Sequence, residues 1–92
     1  MSDDSKIFIG RKRSIDYVMA AMTNLSEGKN CVLLARGRSI SSAVDVGEIL
    51  INTFAKGSSY GKIKIDTEEL TNDNGTKSNV SSIEIEILPA KK

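Results

Sequence analysis

Apolar residues fall into six runs along the chain, and the spacing inside each run predicts its element. Lys6-Ile7-Phe8-Ile9 is a short apolar strand closed by Gly10. Ile15, Val18, Met19, Met22 and Leu25 recur at helical spacing, with Ser14 as the expected N-cap and Gly28 as the stop signal. Cys31-Val32-Leu33-Leu34-Ala35 is apolar at consecutive positions, as in a strand covered on both faces. Ile40, Ala43, Val44, Gly47, Leu50, Ile51 and Phe54, broadened by Ile49, form a second helical stripe that ends before Gly57-Ser58-Ser59. Gly47 costs that helix about 1 kcal/mol relative to alanine, and close packing against another element accounts for it. Ile63 and Ile65, and then Ile83, Ile85 and Ile87, alternate with polar residues, so both runs read as half-buried strands. Pro89 ends the second.

Between those last two strands runs a polar stretch, Thr67 to Ser82, with Asn74-Gly75 as a strong hairpin signal. Extended from Ile65 to Asn74, the chain covers roughly 30 Å. A domain of this length has a radius of gyration of only about 12 Å. If the stretch is strand throughout, the hairpin projects beyond the body as an arm; the acidic, polar composition leaves a loop as the alternative. The order is therefore β-α-β-α-β-β. It predicts an α/β fold of two layers (α+β), a mixed four-stranded sheet with both helices on one face and a right-handed first crossover.

Two turns concentrate charge. Arg11-Lys12-Arg13 follows the first strand, and Arg36-Gly37-Arg38 joins the second strand to the second helix. Gly37 permits a tight turn, and Ser39 or Ser41 can cap the helix whose first-turn amides and dipole favour an anion. Two guanidiniums add to that preference. No Gly-rich run with a following Lys-Ser/Thr pair is present, so this is not a nucleotide-cradling loop. An ordinary strand-turn-helix with solvated arginines is the competing reading.

With 92 residues the chain is expected to form one domain over 1–92, with a frayed N-terminus at 1–5 and a short tail at 90–92. It can bury roughly 60–65% of its unfolded surface. The net charge of +1 hides an asymmetry: residues 1–38 carry +3 and the remainder −2. Bulk charge does not attract a polyanion, so any nucleic-acid site must come from local clustering. No apolar run approaches the roughly 20 residues of a membrane helix, and Met1 to Lys12 lacks a signal-peptide core, which leads us to expect a chain inside the cell and away from membranes. Cys31 is the single cysteine, and within an apolar run it reads as a buried inert thiol. The chain has no histidine and no spaced metal ligands, so neither catalysis, nor a metal, nor a cofactor is expected. Glu68-Glu69 and Glu84/Glu86 are the carboxylate pairs an enzyme reading would use, and alternation along a strand makes the latter a solvated face.

The residues also carry a family resemblance. Ile9-Gly10-Arg11-Lys12 followed by Asp16-Tyr17-Val18-Met19-Ala20-Ala21 resembles the "IGKKPxxNYVxA" opening of the Alba family of archaeal chromatin proteins. The segment Ala35 to Asp45, ARGRSISSAVD, is similar to that family's "ARGRAISKAVD", and Val80 to Ile85 is similar to its closing "VSTIEI" strand. The resemblance runs in order from about Ile7 to Leu88. It implies a homodimer, cytoplasmic and chromosome-associated, that coats double-stranded DNA and also binds RNA. Arg11, Lys12, Arg36 and Arg38 become the backbone-binding set, with Gly37 shaping the turn; Arg13 and Lys77 of the arm add charge. The resemblance assigns Phe54 to contacts between neighbouring dimers, whereas the residue pattern alone places it in a core or interface stripe. Three departures stand out. Arg11 replaces the usual lysine, an acetylation target in the family, which leaves Lys12 as the candidate; Arg13 replaces a proline; and the arm carries Glu68, Glu69 and Asp73 against Lys77 alone. A non-catalytic RNA-binding subunit of a ribonucleoprotein is the alternative function.

Overall fold

The computed structural model describes residues 5–90. Its elements are β1 (Lys6–Phe8), α1 (Ser14–Ser26), β2 (Cys31–Arg36), α2 (Ser39–Ile49), β3 (Ser59–Thr71) and β4 (Lys77–Leu88). They form one mixed four-stranded sheet in the order β1-β2-β4-β3. β1 pairs parallel to β2, while β4 pairs antiparallel to both β2 and β3. The expected frayed terminus and tail lie outside the described residues except for Ser5 and Ala90. Ser5 is tied in, its carbonyl accepting the Val32 N–H at 2.8 Å.

Both helices pack on one side of the sheet. Cys31, Leu33 and Ala35 of β2 and Ile85 and Ile87 of β4 meet Val18, Ala21 and Leu25 of α1 and Ala43 and Val46 of α2. Leu33, Leu50, Ile87 and Val18 are fully buried, and each contributes about 1.5–3 kcal/mol of transfer free energy. β2 does not have two covered faces. Its burial alternates, because Val32 and Leu34 point to the side that carries no helix and are only partly covered. Burial pushes the Cys31 thiol up to about 11, against a smaller opposing effect from Asn24, so the thiol stays protonated.

The stripe expected on α1 is displaced. Met19 is 55% exposed and Ile15 is also exposed, while Tyr17 and Ala21 are buried in their place. The Tyr17 ring goes inward because its hydroxyl meets two backbone donors there, at Gly10 and Lys12, which satisfies the polar end of a buried aromatic. Neither helix uses a serine cap. Ser14 and Ser39 are already helical, Arg13 and Arg38 occupy the cap positions, and neither makes a side-chain cap hydrogen bond. The backbone does the work instead: Asp16 N–H reaches the Arg13 carbonyl at 3.0 Å, and Ile40 N–H reaches the Gly37 carbonyl at 3.2 Å. After Ile49 the helix widens into a π-type turn, Leu50–Phe54, closed by Ala55 N–H on the Leu50 carbonyl at 2.6 Å. Gly47 earns its place by close packing: a Cβ there would stand 3.1 Å from the Tyr60 hydroxyl. That hydroxyl donates to Glu48. Burial first and then Glu48 push the Tyr60 phenol up to about 12.

The last two strands do form an arm. The principal extents are 51 × 28 × 19 Å and the radius of gyration is 14.2 Å, larger than a compact body of this length needs. Pairing is continuous from Ile63↔Ile85 to Thr71↔Lys77. Gly75, with φ +87°, ends a three-residue turn in the left-handed region, and Asn72 N–H bonds the Thr76 carbonyl at 2.7 Å. Ile63 and Ile65 are not half-buried as their alternation implied: they are 53% and 74% exposed. They share the helix-side face with their partners Ile85 and Ile83, yet β3 is the sheet edge and lies past the helices.

Candidate nucleic-acid interface

Parallel pairing of β1 with β2 sets the geometry of the charged turns. Because Phe8 stands beside Leu34, both strands leave the sheet at the same end and their turns become neighbours there. Arg36 is paired with Ser82 of β4, and from that point β4 and β3 continue outward as the arm. The two basic turns therefore sit side by side at the base of the arm. Arg11, Lys12, Arg13, Arg36 and Arg38 are all exposed there.

The first turn is braced by α1. Tyr17 Oη accepts the Gly10 N–H at 2.8 Å and the Lys12 N–H at 3.0 Å. Its cations are mostly unengaged: Arg13 stands 3.6 Å from Asp16, but no carboxylate among the described residues lies within ion-pair distance of Arg11 or Lys12. The second turn is built from backbone. Gly37 takes φ +55°, its N–H donates to the Ser81 carbonyl at 2.8 Å, and a Cβ would stand 3.3 Å from Val80. The glycine thus serves both the left-handed conformation and a close approach to the arm. Arg36 Nη1 meets Glu68 Oε1 of β3 at 3.2 Å, while Arg38 has no acidic partner among the described residues.

Lys77 belongs to a different place. It is the first residue of β4, about 17 Å up the arm from Ser82 at strand rise, and its Nζ stands 3.6 Å from Glu69. Between Asp66 and Ser81 the arm carries four acids and this one lysine. Phe54 is 44% exposed at the end of the π turn and is absent from the core, so the core reading of its stripe does not hold. Tyr17 is the residue that periodicity missed, because its role depends on the hydroxyl and not on the ring. Its signal in the sequence is its position four residues after Arg13, the last residue of the basic turn, within reach of the amides before it.

The family model described as Alba matches residues 5–67. "DNA/RNA-binding protein Alba" from Methanocella arvoryzae is 46% identical over 86 residues, covering 92% of this chain and 90% of its own length. The protein of the same name from Thermoplasma acidophilum is 44% identical, covering 92% and 96%. Among solved structures, Alba from Thermoplasma volcanium superposes with a TM-score of 0.84 at 42% identity, over 90% of this chain and 98% of that one.

Proposed function

The chain belongs to the Alba family, and from that premise we propose that it is an architectural protein that coats nucleic-acid duplexes by phosphate contact. DNA is the principal partner in this reading, bound largely without sequence preference, and duplex RNA is taken by the same surface. The chain acts by binding and not by catalysis, on the chromosome in the cytoplasm. The observation that carries the proposal is the pair of basic turns brought together by the parallel β1–β2 pairing. Arg11, Lys12 and Arg38 neutralise phosphates directly; Arg36 does so after leaving Glu68. Lys12 is exposed, so its acetylation would remove one contact per protomer.

The working unit in this reading is a homodimer. Ile63 and Ile65 give the edge strand β3 an apolar face that nothing among the described residues covers, and a second copy is the occupant that fits a small domain with such an edge. Sedimentation at micromolar concentration gives twice the chain mass if this holds, and Ile65→Lys gives the monomer.

Salt dependence tests the phosphate reading. Three direct contacts per protomer make about six per dimer, for a slope of log K against log salt near −5. Arg38→Ala removes two of them and flattens the slope by about 1.8, with all sequences weakened alike. Lys56→Ala is the control. Lys56 lies beyond the far end of the helix that Ser39 opens, about 24 Å from the turns, so its loss leaves the slope unchanged. An Arg38→Ala slope equal to wild type would make that turn purely structural. Parallel titration of duplex DNA and duplex RNA at one salt concentration separates the architectural role from that of a ribonucleoprotein subunit.

A further inference from the structure

The side of the sheet without helices carries a hollow of about 500 Å³ immediately beside the two basic turns. That volume falls in the range of sites for small ligands, roughly 300–1,000 Å³. Phe8 and Leu34, partners across β1 and β2, form its apolar wall, and the Phe8 ring is 75% exposed. Opposite them, Glu84 stands beside Leu34 in the β2–β4 register, and the Arg36–Glu68 pair completes the lining. Ile9 and Ser39 also border the hollow, so the chain passes directly from its rim into Gly10–Arg13 and arrives at it from Arg38.

The chemistry of hollow and rim is divided. Inside, the Glu84 carboxylate beside the neutralised Arg36–Glu68 pair leaves one negative charge that repels phosphate and accepts N–H donors, whereas the rim is cationic. A nucleotide has that same division, with a planar donor-bearing base at one end and an anion at the other. We propose that the hollow binds an unpaired guanine base of a nucleic acid whose phosphates lie on the basic turns; the inference rests on the phosphate reading of those turns. The base stacks on Phe8, as bases do on exposed aromatic rings of sheet faces. Glu84 reads its edge. Lys64 of β3 is the cross-strand partner of Glu84, yet among the described residues no cation stands within ion-pair distance of the Glu84 carboxylate, in contrast to Glu68, which Arg36 engages at 3.2 Å. Guanine presents two N–H donors, N1 and N2, side by side, which match the two oxygens of one carboxylate. Adenine sets an acceptor beside its amino group and uracil flanks its single N–H with carbonyls, so both meet the carboxylate with a repulsive neighbour. A paired base has its faces stacked and its edge occupied, so the site responds to bulges, loops and single strands.

The test uses the full chain and duplexes that are identical except for one bulged guanine, made both as RNA and as DNA, at one salt concentration. The bulged-guanine duplex binds about tenfold more tightly than the fully paired one, within the range for base–aromatic stacking. A preference in either backbone supports the site, and the arm that shows it identifies the source. Phe8→Ala abolishes the preference and leaves affinity for the paired duplex unchanged, Phe8→Trp restores it, and Glu84→Gln removes the discrimination of bulged guanine from bulged adenine. The ring is mostly in solvent, so thermal unfolding of Phe8→Ala stays at wild type and serves as the folding control. Equal affinity for paired and bulged duplexes overturns the inference while leaving the phosphate reading intact, as does a Phe8→Ala loss that is the same for both. Failure to bind the paired duplex at all overturns the phosphate reading itself.

Discussion

The two basic turns stand side by side and are built in opposite ways. The turn after β1 borrows its rigidity from a side chain, the Tyr17 hydroxyl on α1, and leaves Arg11 and Lys12 without acidic partners among the described residues. The turn after β2 is fixed by its own backbone, through Gly37 and its bond to Ser81, and its first arginine is held by a glutamate of the arm. One turn presents charge that is ready for phosphate. The other presents charge that must exchange partners first.

The largest effect expected is on the backbone-built turn. Gly37→Val forces a β-branched residue to φ +55° and pushes against Val80, costing about 2 kcal/mol in urea unfolding. Gly10→Ala, in the other turn, places its Cβ 3.4 Å from the Tyr17 hydroxyl with no left-handed angle to maintain. It changes stability by less than about 0.5 kcal/mol. Similar losses for the two substitutions would erase the distinction.

Next comes the salt slope. Lys12→Ala removes two free contacts per dimer and flattens the slope by about 1.8. Arg36→Ala flattens it far less. When Arg36 leaves Glu68 for a phosphate, the freed carboxylate gathers a cation, which offsets the counterion that the DNA releases. Tyr17→Phe follows: the ring stays buried, the Gly10 and Lys12 amides turn to water, and stability falls by about 1 kcal/mol with a parallel loss of duplex affinity.

The strand and helix order was legible because burial imposes periods that survive in a single sequence, and the arm was legible through Asn74-Gly75 and the length of the polar stretch. The rotation of α1 was not. Ile15 and Met19 match the helical spacing as well as Tyr17 and Ala21 do, and only the two amides of the turn decide between them. The basic residues themselves could be read from the chain, since a turn between apolar elements keeps its charges at the surface. Their division into free and engaged cations could not, because Arg36 and Glu68 are 32 residues apart and meet only through the register of β4 with both β2 and β3. Ile63 and Ile65 misled for a related reason: alternation reveals that a face is apolar, but not whether the same chain covers it.

The smallest expected effect probes the Arg36–Glu68 pair. Both side chains are about half exposed, so the pair itself is worth less than about 1 kcal/mol. Glu68→Gln therefore leaves thermal stability near wild type. Duplex affinity rises by about threefold and the salt slope steepens, because Arg36 no longer exchanges a carboxylate for a phosphate and no cation is recaptured. The decisive comparison repeats Glu68→Gln in an Arg36→Ala background. If Glu68 acts through Arg36, its replacement there changes affinity little; if it acts as one more acid repelling DNA, the gain is the same in both backgrounds. Asp73→Asn, at the tip of the arm and in no ion pair among the described residues, supplies the reference for that general repulsion, since it removes an equal charge from the same arm without freeing a cation or touching either turn.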